Sequence, residues 1–156
     1  MFTREEKKAI NKAFWDGFKT YCHKKKIKRK WLLSKISIKH TQLKFYADHK
    51  KALVLFQIDN KSEEKRLEVF SYFNAMRTLW DEEAGEGLIW SERFNGIDDN
   101  EVSAIYFQLD EVNIYKKEDH EKIYAFFVKK MTILENIYIE YGEVLADQIS
   151  QIILKG

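Results

Sequence analysis

Proline is absent from this sequence, cysteine occurs once, and glycine occurs six times. A typical chain of this kind carries about 5% proline. The lack of proline and the scarcity of glycine leave no low-complexity linker, and no internal repeat or domain boundary is visible. Cys22 alone cannot form an internal disulfide and cannot by itself build a structural zinc site. No stretch approaches the ~18 uncharged apolar residues of a membrane-spanning helix. The amino terminus, Met1 to Lys7, is charged and lacks the apolar core of a signal peptide. These absences together lead us to expect a reduced cytoplasmic protein with no membrane partner.

What is present is core material. The 156 residues are 45% hydrophobic, with 11 Phe, 8 Tyr and 4 Trp, which is enough to bury a real interior. That length suits one α+β domain spanning residues 1–156. The 33% charged residues sum to only +2, but they are unevenly placed. Residues 1–58 hold 16 Lys/Arg against 4 Asp/Glu, a net of +12; residues 59–156 hold 11 against 21, a net of −10. Such asymmetry marks a nucleic-acid surface, an acidic partner, or two halves that attract each other between subunits. Lysine richness carries no weight by itself, because 22 Lys against 5 Arg, with 16 Ile and no proline, is also what a base-composition bias yields.

The element pattern follows from periodicity. Thr3 and Glu6 form a capping box, and Ile10, Phe14, Phe18 and Tyr21 give one apolar face, so a helix is expected over 4–24. Gly17 within it costs about 1 kcal/mol against alanine and so marks a close packing contact. Strands are expected over 31–38, 42–47 and 51–58. The last is central, because both of its faces are apolar. Asn60 and Glu63 signal the start of a second helix over 61–83, with Val69, Phe73, Met76 and Trp80 as its buried stripe. Gly85 and Gly87 close it. Strands over 88–94 and 101–109 follow, then a short extended piece at Val112-Asn113-Ile114. Ile123, Phe127, Met131, Leu134, Tyr138, Tyr141, Leu145, Ile149 and Ile152 step by three or four along a final helix over 119–154. At 1.5 Å per residue this helix is about 54 Å long, beyond the ~30 Å of a small domain. Either it breaks near Gly142 or its far end packs on another chain. The expected fold is therefore α+β: a five-stranded, mainly antiparallel sheet packed by an N-terminal helix, a middle helix and a long C-terminal helix.

Four segments stand out within this order: Ala13 to Phe18, Phe45 to Ala52, Leu88 to Trp90, and Val112 to Ile114. Together they resemble the bacterial and archaeal domain of unknown function 4268 family, over about Phe2 to Asp147. The resemblance implies no established activity and carries over no catalytic residue. Some members of that family resemble the back half of a longer protein with a nuclease-like front half; no such front half is expected here.

The candidate sites are sparse. Asp48 with Asp59 and Lys61 mimics the acids and lysine of a metal-dependent nuclease. However, Asp48 and Asp59 are expected at opposite ends of one strand, about 36 Å apart, too far for a shared metal. Cys22 and His23 are neighbours on a helix and point about 100° apart, so they do not form a nucleophile–base pair. His40, His49 and His120 lack metal-ligand spacing, and Gly85-Glu86-Gly87 is no phosphate loop. No catalytic residue, metal or cofactor is expected. Trp15, Trp80 and Trp90 read as core.

Two binding features remain. Lys24, Lys25, Lys26, Lys28, Arg29 and Lys30, with Trp31 or Tyr21 as a stacking surface, could grip phosphates. The bland alternative is a solvated helix end whose cations meet the negative helix terminus. Tyr141, Leu145, Ile149 and Ile152 would hold a second copy if the last helix projects. The leading expectation is a non-enzymatic interaction domain that forms a homo-oligomer through its C-terminal helix. The alternative is an accessory nucleic-acid-binding domain that uses residues 24–30. Biological process, ligand and partner identity are not legible in the sequence.

Overall fold

A computed structural model gives the fold and describes residues 2–27, 38–95, 97 and 100–154, apart from the side chains of residues 143 and 152–154. The described residues form α1 (Arg4–Lys24), β1 (Thr41–Ala47), β2 (Lys51–Ile58), α2 (Glu63–Ala75), α3 (Arg77–Ala84), β3 (Ile89–Phe94), β4 (Val102–Asp110) and α4 (Lys117–Leu154). The class is α+β, as expected. The sheet has four strands in the order β1-β2-β4-β3, and every ladder is antiparallel. This corrects the expectation of five strands for the described residues. The missing strand was expected over 31–38, of which all but Ile38 lie outside the described residues.

β2 is central, and its alternation explains why. Ala52, Val54, Phe56 and Ile58 point to the helices and are fully buried. Leu53 and Leu55 point the other way and are also fully buried, clustering with Ala104 and Phe94. Asp48 turns β1 into β2. Its carboxylate accepts from the Lys50 and Lys51 amides at 2.8 and 2.9 Å and from the Tyr46 hydroxyl at 2.9 Å. Burial pushes its pKa up, but these hydrogen bonds and nearby His49 outweigh burial and hold the carboxyl below its ordinary value. The extended piece at Val112 and Ile114 is not a strand. It bonds back to the same turn through Ile114 N to Asp48 O, at 3.0 Å.

The middle helix differs from its reading in two ways. Its N-cap is Ser62, whose hydroxyl accepts from the Lys65 amide at 3.3 Å. Asn60 is instead buried, and its side-chain oxygen has no hydrogen-bond partner among the described residues. The helix also breaks at Met76 (φ −100°, ψ 11°) into α2 and α3. The reason is tertiary. Phe73 and Trp80 are two turns apart, about 10 Å along a straight helix, yet their ring centroids lie 5.6 Å apart and both rings pack on Phe56. A kink brings the two rings onto one core residue. Buried Arg66 ties α2 to the β3–β4 hairpin, donating to Ser103 Oγ at 3.2 Å and Glu101 O at 2.9 Å.

α4 runs unbroken for 38 residues, about 57 Å, straight through Gly142. Leu145 and Ile149 are buried within this chain, at 3% and 0% exposure. Of the residues expected to meet a second copy, these two belong to this chain's own core cluster. Among the described residues, no helix is long and apolar enough to cross a membrane.

Candidate nucleic-acid interface

The site is a groove between α1 and the first turns of α4. Each helix is placed for local reasons. The Thr3–Glu6 capping box starts α1: Thr3 Oγ1 accepts from the Glu6 amide at 3.1 Å, and Glu6 Oε1 accepts from the Thr3 amide at 3.3 Å. Asp119 accepts from the Asn113 amide at 2.9 Å, which fixes the entry of the chain into α4. His120 Nε2 lies 2.6 Å from Ile114 O and donates to it, while its ring meets Phe14 edge-on at 4.9 Å.

Gly17 and Tyr124 set how closely the helices approach. The Tyr124 hydroxyl donates to Phe14 O at 2.6 Å, in mid-helix. A Cβ at Gly17 would stand 2.5 Å from that hydroxyl, so the contact needs glycine. The sequence reading of Gly17 as a close contact is thus met by a named partner. Burial pushes the Tyr124 phenol up, which keeps it a neutral donor.

The resulting concavity holds about 760 Å³. Its apolar walls come from Ile10, Ala13, Gly17, Tyr21, Tyr115 and Tyr124. Lys24 and Lys25 line it from α1, and Lys117, His120 and Glu121 from α4. Lysine thus outnumbers acid three to one along the lining. Among the described residues, no carboxylate lies within ion-pairing distance of Lys24, Lys25 or Lys117. Two cation–ring pairs involve its tyrosines: the Lys25 ammonium lies over the Tyr21 ring, 5.8 Å from its centroid, and that of Lys7, outside the lining, lies over Tyr115 at 5.8 Å.

The structure divides the sequence candidates. Lys24 and Lys25 enter the groove. Lys26 sits in the turn beyond α1 with φ 57° and does not line it. Lys28, Arg29, Lys30 and Trp31 lie outside the described residues, as does the Ile152 side chain. Tyr141 is half-buried near the far end of α4, where desolvation and the charges of Glu140, Glu83 and Glu82 push its phenol up. Asp48 and Asp59 stand at opposite ends of β2. Asp59 accepts from Gln42 and Gln57, both at 3.3 Å. Burial raises the Cys22 thiol, which makes it less reactive.

Lys117, Tyr115 and His120 were not singled out as binding residues. Their approach to Lys24 and Lys25 spans about ninety residues of sequence, and no local spacing signals it. A second concavity, of about 490 Å³, mixes Lys50 and Lys116 with Asp110, Glu111 and Asp119 and so lacks a charge of one sign.

The model of a family described as Domain of unknown function (DUF4268) matches residues 10–142. The chain belongs to this family. The matched span contains the whole lining of the groove, from Ile10 to Tyr124, so the concavity lies within the DUF4268 domain proper. No curated protein and no solved structure matches the chain. Membership brings no activity with it, and the function of this DUF4268 domain has to be argued from its own surface.

Proposed function

We propose that this DUF4268 domain is a non-enzymatic accessory module that binds nucleic acid through the α1–α4 groove. The observation that carries the reading is the convergence of Lys24 and Lys25 from α1 with Lys117 from α4 on one concave, tyrosine-walled surface. A lysine pair at a helix end is ordinarily a solvated cap. A third lysine from a distant element, facing the same groove with no carboxylate in ion-pairing distance among the described residues, is what a phosphate track requires. Lysine contacts of this kind hold the backbone and do not read bases, so the binding is sequence-tolerant.

Self-association through α4 has less support. Leu145 and Ile149 are already covered, and the large apolar residues exposed on that part of the helix, among the described residues, are Ile139 and Val144.

The test is anisotropy of a labelled oligonucleotide with the full chain at low salt. Wild type is expected to bind. The triple variant K24E/K25E/K117E is expected to lose at least tenfold in affinity while keeping the wild-type circular dichroism. Absence of wild-type binding at low salt, or an unaffected triple variant, overturns the reading.

A further inference from the structure

The geometry points to a single strand, and not a duplex, as the form of nucleic acid that this groove takes, with bases stacked on Tyr21 and Tyr115 and phosphates held by the adjacent lysines. The inference rests on the nucleic-acid reading above and goes beyond it by naming the substrate. Phosphates alone do not discriminate, since both forms present them. The discriminating feature is the aromatic wall.

Tyr21 and Tyr115 are both half-buried, so each ring keeps an accessible part in the groove. An ammonium stands over each ring, 5.8 Å from its centroid: Lys25 over Tyr21, and over Tyr115 Lys7, which lies outside the groove lining. An ammonium drawn from the ring onto a phosphate uncovers that face for a base, and a single strand offers an unstacked base next to a phosphate. In a duplex the base faces are buried in the stack, so a tyrosine inside a concavity gains nothing from them. The two rings also come from the two sides of the groove, α1 and the entry to α4, so a strand laid along it meets both. Such stacking is tolerant of base identity, because every base has a π face.

The test compares the same labelled sequence of about 20 nucleotides as a single strand and as a duplex. The proteins are the full-length wild type and the variants Tyr21→Leu, Tyr115→Leu, Tyr21→Phe and Tyr115→Phe. Leucine keeps apolar bulk where the Tyr21 ring packs 5.5 Å from that of Tyr124, but it offers no π face. Phenylalanine keeps the π face. Wild type is expected to bind the single strand more tightly. Each leucine variant should lose about tenfold on the single strand and less than about twofold on the duplex, and each phenylalanine variant should match wild type. Circular dichroism confirms that the variants are folded. Equal affinity for both forms, with the leucine variants unchanged, overturns this inference and leaves the phosphate-binding groove standing. Absence of binding to either form overturns both.

Discussion

The two ends of α4 carry the same apolar stepping and do opposite things with it. Near the start, Ile123 and Phe127 face the core while Lys117, His120 and Tyr124 line an open groove against α1. Near the end, Leu145 and Ile149 are closed within the chain, and Tyr141 sits among Glu82, Glu83 and Glu140. One end is concave and basic, and the other is filled and acidic. Periodicity tells which side of a helix is buried. It does not tell what buries it, and that is decided by the elements the fold brings alongside.

The sharpest way to break this contrast is at the filled end. Leu145→Ala and Ile149→Ala are each expected to cost about 2–5 kcal/mol of stability, as deletions at core positions do. The measurement is urea denaturation, with the mass in solution followed by light scattering. Unchanged stability with a loss of association would mean that these side chains serve another copy and not their own core.

At the open end, Gly17→Ala sets a helix-propensity gain of up to ~1 kcal/mol against a Cβ placed 2.5 Å from the Tyr124 hydroxyl. The hydroxyl is pinned on Phe14 O, so overpacking wins and a net loss of about 1–2 kcal/mol is expected. In a Tyr124→Phe background the colliding atom is gone, and Gly17→Ala should become neutral or stabilising. If the alanine costs the same in both backgrounds, the helices are not held apart by this contact.

Asp48, in the β1–β2 turn and remote from both ends, provides a pH-dependent reference. Its folded carboxyl is held below its ordinary value. Its contribution is therefore complete above the unfolded value of about 3.9 and is lost as the pH falls through the folded value. Asp48→Ala should cost about 1 kcal/mol at neutral pH, discounted for its partly exposed position. The gap in Tm between variant and wild type should close as the pH falls below the ordinary carboxylate range. A gap independent of pH would mean that the loss comes from packing and not from the carboxylate.

The smallest effect is expected at Glu121, the one acid in the groove lining. Glu121→Gln should leave stability within about 0.5 kcal/mol and raise affinity for a polyanion a few-fold. A drop in affinity would assign that carboxylate a contact of its own with the ligand.

Much of this fold is legible in the sequence, for identifiable reasons. The Thr3–Glu6 box, the β1–β2 hairpin, the two-faced apolar character of β2 and the length of α4 are local patterns, and local patterns survive folding. The break at Met76 is not legible, since neither proline nor glycine marks it. It exists because Phe73 and Trp80 both seek Phe56. The choice of Ser62 over Asn60 as cap is likewise invisible, because either residue type serves that role. The site is half legible. The lysines of α1 are conspicuous, but Lys117 and Tyr115 join them only through a tertiary contact whose one local trace is Gly17.

The most direct measurement is the slope of log affinity against log salt for a single-stranded oligonucleotide, in wild type and in K24E/K25E/K117E. Each lysine–phosphate contact contributes about −0.7 to the slope. Binding through the groove predicts that the triple variant's slope is shallower by about 2. An identical slope in the two proteins would show that the phosphates lie elsewhere and would contradict the assignment of the groove.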